Sequence, residues 1–462
     1  MAKFEITAWH PAQHIEKKMI YDSSFSTLTW EDGTHILGKV ETKPDVISPA
    51  KIELGKRNLK TIKIQLGLSC NFECDYCSQR FVPNSEETTP RDVAPFVGNM
   101  STWCPSGEDG KGKGIHFEFW GGEPFVYWKT FKPLAEEIIA KYPNAGRSVI
   151  TNGSLFTDEI IEWLEEYDFS VAMSHDGPGQ PTRGPDPLDE DRHKKTVAKL
   201  YKRFAPAQKF SFNAMVHSNN ISREKIQLWF EDFVRTNVGE YYLQYLVIGE
   251  GGFVDAYDAG GLTNSLKDAE EEVKFRSLAY NEIRDYKATR YISVSQKLEN
   301  FISSIEKGVR IESLPQKCGM DREDSIAVDL NGNVLTCQNV STVSANPSGI
   351  SHHIGHVSDL ESVKVSSATH WSDREECPKC PVVHICKGAC MFLTGPLWEA
   401  SCNNAFSDNI VIFANAIEFQ TGWVPQFIEG PQREDRKDIF WWVNGKPEKT
   451  RKAKKIIPIT AI

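Results

Sequence analysis

The chain has 462 residues, of which 40% are hydrophobic and 25% are charged, and its formal net charge is -10. This length suggests two or three domains, and the negative charge disfavours generic binding to nucleic acid or to anionic membranes. The amino terminus lacks a basic stretch followed by an apolar run, and no apolar run approaches the roughly 20 residues that span a bilayer. We therefore expect a cytoplasmic protein without membrane contact.

The 11 cysteines are grouped in a way that indicates metal binding. Cys70, Cys74 and Cys77 lie together, seven more lie between Cys318 and Cys402, and Cys104 stands alone. A secreted disulfide framework is typically short and follows a signal peptide, so clustered cysteines in a long chain favour metal ligation. For the isolated Cys104 we expect a buried structural role.

Residues 1–60 carry short alternating apolar runs, with Glu31-Asp32-Gly33 as a hairpin turn between two of them. This pattern predicts a small β-rich lead-in domain.

From residue 61 to residue 309, strand-like and helix-like segments alternate. The strand-like segments are 62–68, Ile115–Trp120, Ser148–Thr151, Phe169–Ser174, Phe210–Val216 and Tyr241–Ile248. The helix-like segments are Phe131–Tyr142, Asp158–Tyr167, Arg192–Phe204, Arg223–Thr236 and a longer stretch near Leu266–Lys287, with Thr157 and Ser222 as N-caps. Such alternation predicts an α/β fold with a parallel sheet. Six units are fewer than the eight of a closed barrel, so we expect a partial (β/α)6 barrel.

Polar loops follow several of these strands and should meet at one rim, because ligands of parallel sheets collect at the carboxyl ends of the strands. The first cysteine group follows the first strand, and the next three strands are followed by Gly121-Gly122-Glu123, Asn152-Gly153 and Ser174-His175-Asp176. Two Gly- and Pro-rich stretches, residues 177–187 and 249–261, are expected to be mobile loops that could frame a groove.

The last third of the chain predicts two further units. Residues 310–410 are dominated by cysteines, glycines and short polar segments, which is typical of a metal-organised domain with little core of its own. Residues 411–462 predict a helix, a hairpin-like Trp441–Gly445 and a basic run from Arg451 to Lys455 that we interpret as a solvated tail.

The first cysteine group offers three thiolates, whereas a 4Fe–4S cluster normally takes four, so one iron would stay open. The motif Cys70-x3-Cys74-x-Tyr76-Cys77 resembles the signature of the radical S-adenosylmethionine (SAM) enzymes. The resemblance implies a cluster that binds and cleaves SAM. It also implies cofactor contacts from Tyr76, Gly121, Gly122, Glu123, Asn152 and Ser174, with an adenine pocket along the strand from Tyr241. Zinc is the alternative, but its ligands usually come as Cys-x2-Cys pairs.

The second cysteine set resembles the SPASM extension of radical SAM enzymes, which carries two auxiliary 4Fe–4S clusters. The match includes Cys318, Gly332-x4-Cys337, Cys377-x2-Cys380-x5-Cys386-x3-Cys390 and Cys402. By position, Cys377, Cys380, Cys386 and Cys402 would ligate the distal cluster, and Cys318, Cys337 and Cys390 the nearer one. Residues 319–336 contain no cysteine. The nearer cluster would therefore have an open iron or an oxygen ligand such as Asp321 or Asp324.

SPASM enzymes mostly modify peptides, and the resemblance implies that class here. The sulfatase-maturing branch carries Asp directly after the cysteine that matches Cys337, whereas this chain has Gln338, and an amide cannot act as a base. We therefore favour a thioether or carbon–carbon crosslink in a ribosomally synthesised peptide (RiPP biosynthesis). Formylglycine formation, small-molecule alcohol dehydrogenation and a non-enzymatic electron-transfer iron–sulfur protein are the alternatives. The catalytic acid or base is not identified.

The resemblance also implies partners. A reductase such as flavodoxin or ferredoxin would supply electrons, and a peptide or protein would be the substrate. Many peptide-modifying relatives carry a leader-recognition domain before the barrel, but the first sixty residues lack a clear helix trio. We therefore expect either leader recognition on a separate protein or an unusual substrate.

Overall fold

The computed structural model describes residues 2–37, 58–83, 87–249, 251–285, 289–365, 369–437 and 439. The hairpin-like Trp441–Gly445 and the basic run from Arg451 to Lys455 lie outside these described residues. Within the described ranges, no helix combines the length and the apolar character that a membrane crossing requires.

The strands of the described ranges form two sheets. The strands are β1 (Lys3–His10), β2 (Ile15–Asp22), β3 (Thr27–Trp30), β4 (Thr61–Gln65), β5 (His116–Trp120), β6 (Gly146–Thr151), β7 (Ser170–Ser174), β8 (Phe210–Asn213), β9 (Ser325–Asp329), β10 (Asn333–Leu335), β11 (His353–His356) and β12 (Val424–Glu429). The smaller sheet has the order β12-β1-β2-β3, and the larger has the order β11-β10-β9-β4-β5-β6-β7-β8.

Helices separate the central strands of the larger sheet. The α-helices are α1 (Val93–Trp103), α2 (Trp128–Lys141), α3 (Asp158–Glu166), α4 (Asp191–Phe204), α5 (Arg223–Asn237), α6 (Ala259–Thr263), α7 (Ala269–Ile283), α8 (Ile292–Lys307), α9 (Val383–Cys386) and α10 (Gly395–Thr421). Strands β4 to β8 are all parallel, and one or more helices lie between each consecutive pair. The predicted α/β class with a parallel sheet is confirmed.

Local sequence explains where two of these helices begin. The Thr157 hydroxyl accepts a hydrogen bond from the amide of Ile160, and the Ser222 hydroxyl accepts one from the amide of Lys225. Both predicted N-caps are confirmed, because each side chain satisfies an amide that has no partner within its own helix.

The predicted sixth strand, Tyr241–Ile248, is wrong. Residues Glu240–Tyr245 form a 3₁₀-helix, and in this segment only Ile248 makes a β-bridge, parallel to Phe212. The side chains of Tyr241 and Tyr245 meet on one side of the helical turn, with their hydroxyl oxygens 3.1 Å apart. Aromatic β-propensity depends on context, and this segment forms a helical turn instead of a strand.

The amino-terminal and carboxy-terminal segments share the smaller sheet. Strand β1 pairs antiparallel with β12, with Glu5 opposite Glu429. The predicted turn at Glu31–Gly33 is confirmed, since the amide of Gly33 donates to the carbonyl of Trp30. Helix α10 runs through the boundary expected at residue 410, so the last predicted unit is continuous with the cysteine-rich segment.

The cysteine-rich segment extends the larger sheet. Strand β9 pairs in parallel with β4, with Ser325 opposite Thr61, and β10 and β11 continue antiparallel beyond it. Because β4 also leads into the first cysteine loop, this pairing positions the later cysteines beside the central strands.

Candidate iron–sulfur and cofactor site

The cysteine loop after β4 is joined to the glycine loop after β5 by main-chain hydrogen bonds. The amide of Gly122 donates to the carbonyl of Gly67 at 3.0 Å, and the amide of Glu123 donates to the carbonyl of Ser69 at 3.0 Å. A Cβ atom on Gly122 would overlap the carbonyl oxygens of Leu68 and Ser69. Glycine at 122 therefore allows the two loops to lie side by side directly before Cys70, whereas a Cβ atom on Gly121 would lie 3.3 Å from the carbonyl oxygen of Gly67.

Glu123 ties the loop after β5 to the loop after β6. Its buried carboxylate accepts hydrogen bonds from the amide of Phe125 (3.1 Å), the hydroxyl of Thr151 (2.8 Å) and the amide of Asn152 (2.7 Å). Burial raises the pKa of Glu123 to about 7, and these donors oppose the shift. The side chain is an acceptor that fixes two loops of the rim.

Asn152 lies beside the first cysteine. Its Nδ2 donates to Asn71 Oδ1 at 2.9 Å and lies 4.0 Å from Cys70 Sγ. Ser174, at the end of β7, is half-buried and pairs in register with Asn213 of β8. The two residues therefore lie at the carboxyl ends of strands, as the sequence predicts, and Asn152 is the one in contact with the cysteine loop.

Tyr76 belongs to a buried polar group that links the cysteine loop to the loop after β7. Its hydroxyl donates a hydrogen bond to Asp176, and Arg183 Nη1 donates to the Tyr76 oxygen at 3.0 Å. Asp176 also accepts from the amide of Met215 at 2.9 Å. Burial holds the pKa of Tyr76 well above its usual range, so the hydroxyl stays protonated and remains a donor.

Arg183 and His217 are site residues that sequence reasoning missed. Burial raises the pKa of Cys74 to about 11, and the Arg183 guanidinium opposes that shift. His217 is fully buried with its ring 5.7 Å from the ring of Tyr76, and within the described ranges neither ring nitrogen has a hydrogen-bond partner. Arg183 follows a 3₁₀-helix, Gly177–Thr182, inside the stretch expected to be a mobile loop. A single charged residue in a glycine-rich stretch gives no indication in the sequence that its side chain is buried.

The four cysteines assigned to the distal cluster line one small cavity of about 20 Å³. They are Cys377, Cys380, Cys386 and Cys402. Burial raises the pKa of Cys380 to about 11 and that of Cys386 to about 12. Arg436 also lines this cavity and donates from Nη2 to Cys402 Sγ at 3.3 Å. Four unpaired thiols with a buried cation beside them form a donor set that suits a cluster.

The three cysteines assigned to the nearer cluster line a second cavity of about 1300 Å³. They are Cys318, Cys337 and Cys390. Of the two oxygen ligands expected from sequence, Asp324 accepts hydrogen bonds on both oxygens from Arg322. The buried Asp321 Oδ1 has no hydrogen-bond partner among the described residues, so Asp321 is the better candidate of the two.

The larger cavity reaches down the inner face of the sheet to a polar row. The side chains of this row stand side by side on neighbouring strands of the larger sheet, and all of them line the cavity. They are Lys63 on β4, Glu118 on β5, Ser148 on β6, Ser170 on β7 and Lys209 directly before β8. The inward positions of a parallel sheet are usually apolar. A polar row at the base of a cavity therefore indicates a binding surface.

Main-chain amides point at the cysteine sulfurs in a repeated pattern. Six of the ten candidate ligands accept a hydrogen bond from the amide two residues on, and the donors are Phe72, Gln79, Met320, Asn339, Val382 and Phe392. Such donors stabilise thiolates over thiols. All of these cysteines are free of disulfides. Across the described ranges, no three His, Cys, Asp or Glu side chains converge as the ligands of a single metal ion do.

Cys104 lies away from these sites. It is buried, and burial raises its pKa to about 11. Its Sγ lies 3.6 Å from the carbonyl oxygen of Pro105, and the side chain packs in the hydrophobic core, as a structural role requires.

Comparisons with known proteins connect this geometry to described enzymes. No protein-family model matches the chain. The chain is 22% identical over 369 residues to the radical SAM cyclopropyl synthase TigE of Paramaledivibacter caminithermalis, a match that covers 74% of this chain and 69% of the relative. It is 30% identical over 125 residues to a serine-type anaerobic sulfatase-maturating enzyme of Bacteroides thetaiotaomicron, covering 24% of this chain and 28% of that protein.

One group of solved structures shares the fold. Native anSMEcpe with bound AdoMet superposes with a TM-score of 0.54 at 20% identity, over 78% of this chain and 98% of that chain. The same protein with bound AdoMet and a Cp18Cys peptide superposes with a TM-score of 0.53.

Proposed function

We propose that this chain, which resembles the radical SAM enzymes with a SPASM domain in both sequence and fold, cleaves SAM reductively and abstracts hydrogen from a peptide substrate. The product we propose is a carbon–carbon or thioether crosslink in a ribosomally synthesised peptide. Three 4Fe–4S clusters, one that binds SAM and two auxiliary, are part of the proposal.

The observation that carries the proposal is the close contact between the cysteine loop after β4 and the loop after β5 that contains Gly122. Three cysteines, the main chain of residues 67–69 and 122–123, and the side chain of Asn152 meet at the end of β4. Cys70, Cys74 and Cys77 would hold a 4Fe–4S cluster, which would supply an electron and an open iron site for the reductive cleavage of SAM.

The chain's own residues would position the substrate and protect the reaction from water. Tyr76, Asp176 and Arg183 form a closed hydrogen-bonded group beside the cysteine loop, which fixes the loop and keeps solvent out on that side. Fixed geometry and exclusion of water matter because a carbon radical reacts with any hydrogen donor within reach.

A peptide substrate is supported by the cavity of about 1300 Å³ below the rim. The three cysteines of the proposed nearer cluster line part of this space, and the polar row lines its base, which leaves a large cavity beside the cluster for a substrate. The structural neighbour anSMEcpe has been solved with AdoMet and a peptide together. We extend peptide binding to this chain on that likeness and on the cavity.

The residue after Cys337 argues against the mechanism expected for sulfatase maturation. The side-chain oxygen of Gln338 lies 3.5 Å from Cys337 Sγ, and the main-chain carbonyl of Gln338 accepts a hydrogen bond from Gln65 Nε2 at 2.6 Å. A side-chain amide cannot take a proton as a carboxylate does. The relative that covers most of this chain is named for making a cyclopropyl group, which favours carbon–carbon bond formation here.

Formylglycine formation is the second candidate function, because the sulfatase-maturating relative reaches 30% identity over a shorter segment. A flavodoxin or ferredoxin as electron donor, and a separate leader-recognition protein, complete the proposed system.

The test is anaerobic reconstitution followed by SAM cleavage and product analysis. We expect iron for three clusters, formation of 5′-deoxyadenosine, and loss of two hydrogens from a peptide encoded beside the gene. Cys74→Ala should abolish SAM cleavage, and Cys104→Ala is the matched control that should retain it. Zinc without cleavage would contradict the proposal. Hydroxylamine capture of an aldehyde in the product would instead support formylglycine formation.

A further inference from the structure

Residues 254–266 form a segment, the bracing segment, that lies against the cysteine loop. A Cβ atom on Gly260 would overlap the carbonyl oxygen of Asp75 and lie 3.0 Å from its carbonyl carbon. Only glycine allows two stretches of main chain to approach each other so closely. Asp75 stands between Cys74 and Tyr76, so this contact is made inside the motif that we assign to the first cluster.

The bracing segment is also bonded to the loop after β8. The amide of Ser218 donates to the carbonyl of Asn264 at 2.9 Å, and the amide of Val254 donates to the carbonyl of Val216 at 2.9 Å. Between these two bonds lies the buried His217, whose ring is 5.7 Å from the phenol ring of the cysteine loop. The segment therefore contacts both the cysteine loop and the loop that packs beside it.

A single side chain of α10 ties together the two ends of the bracing segment. Asn404 is 1% exposed, and its Oδ1 accepts a hydrogen bond from the amide of Leu266 at 3.0 Å. Its Nδ2 donates to the carbonyl of Val254 at 3.1 Å and to the hydroxyl of Ser265 at 2.9 Å. The side-chain amide thus uses its acceptor and both of its donors on one segment.

The same turn of α10 holds the segment at a further point. The buried Ser401 hydroxyl accepts a hydrogen bond from the amide of Ala256 at 2.7 Å. Cys402, next in the chain, lines the small cavity assigned to the distal cluster. Buried main-chain groups are costly to leave unpaired, so the segment would have to move if the side chain of Asn404 were removed.

We propose that Asn404, with Ser401 beside it, is a positioning residue for the SAM site and acts through the bracing segment. Both sides of the contact between Gly260 and Asp75 are main chain, which cannot adjust as a flexible side chain does. A shift of the segment must therefore move the cysteine loop or open a gap beside it, and packed interiors contain few such gaps. The inference rests on the proposed function in taking SAM as the ligand of this loop.

The test is equilibrium dialysis of the full, anaerobically reconstituted chain against SAM, combined with hydrogen exchange of the peptide that contains residues 70–77. Asn404→Leu removes the hydrogen bonds of the side-chain amide, and Gly260→Ala pushes the segment from the cysteine loop without touching α10. We expect each variant to raise the Kd of SAM about tenfold, since small displacements of a positioned group have large effects. Each should also speed exchange in that peptide. The double variant should bind SAM no more weakly than the weaker single variant, because both changes act through one contact.

Two matched controls separate positioning from stability. Asn415→Leu makes the same substitution at another buried position of α10, where Nδ2 donates to the carbonyls of Tyr280 and Val411. Gly252→Ala makes the other substitution just before the bracing segment, where a Cβ atom meets no atom within 4 Å. Both controls should keep the Kd of SAM and the exchange of residues 70–77 at the values of the wild type, even where the midpoint of unfolding changes.

SAM binding that is unchanged in both Asn404→Leu and Gly260→Ala would overturn the inference. A loss in Asn415→Leu as large as that in Asn404→Leu would overturn it too, because the effect would then follow stability. If Asn404→Leu does not fold, Gly260→Ala decides, since it leaves α10 intact. If the wild type does not bind SAM, but exchange of residues 70–77 rises in Asn404→Leu and Gly260→Ala and in neither control, the positioning stands and the proposed function fails.

Discussion

The hydroxyl of Tyr76 donates a hydrogen bond to the carboxylate of Asp176, and this contact joins the cysteine loop to the loop after β7. Arg183 donates to the same hydroxyl, so the phenol lies between a buried anion and a buried cation. The cysteine loop is therefore fixed to the sheet by a charged network as well as by its own main chain.

Removing this hydroxyl should destabilise the protein measurably. Hydrogen bonds to charged groups contribute about 1.5–3 kcal/mol, so we expect Tyr76→Phe to lower the free energy of unfolding by about 2 kcal/mol. Tyr21→Phe is the matched control, because the buried Tyr21 hydroxyl lies 3.5 Å from the uncharged Ser26 hydroxyl. Guanidinium unfolding of the reconstituted proteins under anaerobic conditions measures the free energy of unfolding of both variants. Equal losses in the two variants would contradict the role of the network.

Gly122→Ala should separate the two loops that form the rim. The added Cβ would overlap two carbonyl oxygens of the cysteine loop, so the loop after β5 must move away. We expect SAM binding to weaken about tenfold or more, since small displacements of a positioned group have large effects. Equilibrium dialysis of reconstituted protein against SAM measures the change.

Gly98→Ala is the control for that substitution. Gly98 lies inside α1, and a Cβ there meets no atom within 4 Å. Alanine is the better helix former by about 1 kcal/mol, so this variant should bind SAM normally and be slightly more stable. If Gly122→Ala binds SAM as well as Gly98→Ala does, the two loops do not need their close approach.

The raised pKa of Glu123 predicts that the free energy of unfolding depends on pH in a specific way. The pKa of Glu123 is raised in the folded protein from 4.5 to about 7. Between pH 4.5 and pH 7, the folded state therefore still holds a proton that the unfolded state has lost. The contribution of this carboxyl to stability is therefore present at low pH and is lost as the pH rises towards 7. The difference in unfolding free energy between wild type and Glu123→Gln should fall by about 2 kcal/mol between pH 5.5 and pH 8. A difference that stays flat or increases with pH would show that the carboxylate is stabilised in the fold.

The sequence predicted the parts of the site that depend on spacing along the chain. The cysteine groups and the loops of Gly122 and Asn152 follow strands, and alternating strands and helices bring the carboxyl ends of parallel strands together. Arg183, His217 and Arg436 could not be predicted, because their burial depends on contacts between distant segments. The tyrosines of 241–245 misled the strand prediction, because aromatic residues suit a strand and a packed helical turn alike.

Arg436 should raise the reduction potential of the proposed distal cluster. It is 4% exposed, donates to Cys402 Sγ, and comes from a segment beyond α10 that the cysteine pattern does not include. Since a cation stabilises the reduced and more negative state, Arg436→Gln should shift the midpoint potential of this cluster to lower values. Arg433→Gln is the matched control, because Arg433 pairs with Asp435 and Glu399 and is more exposed. A shift in Arg433→Gln as large as that in Arg436→Gln would indicate a long-range effect of net charge rather than the contact with Cys402.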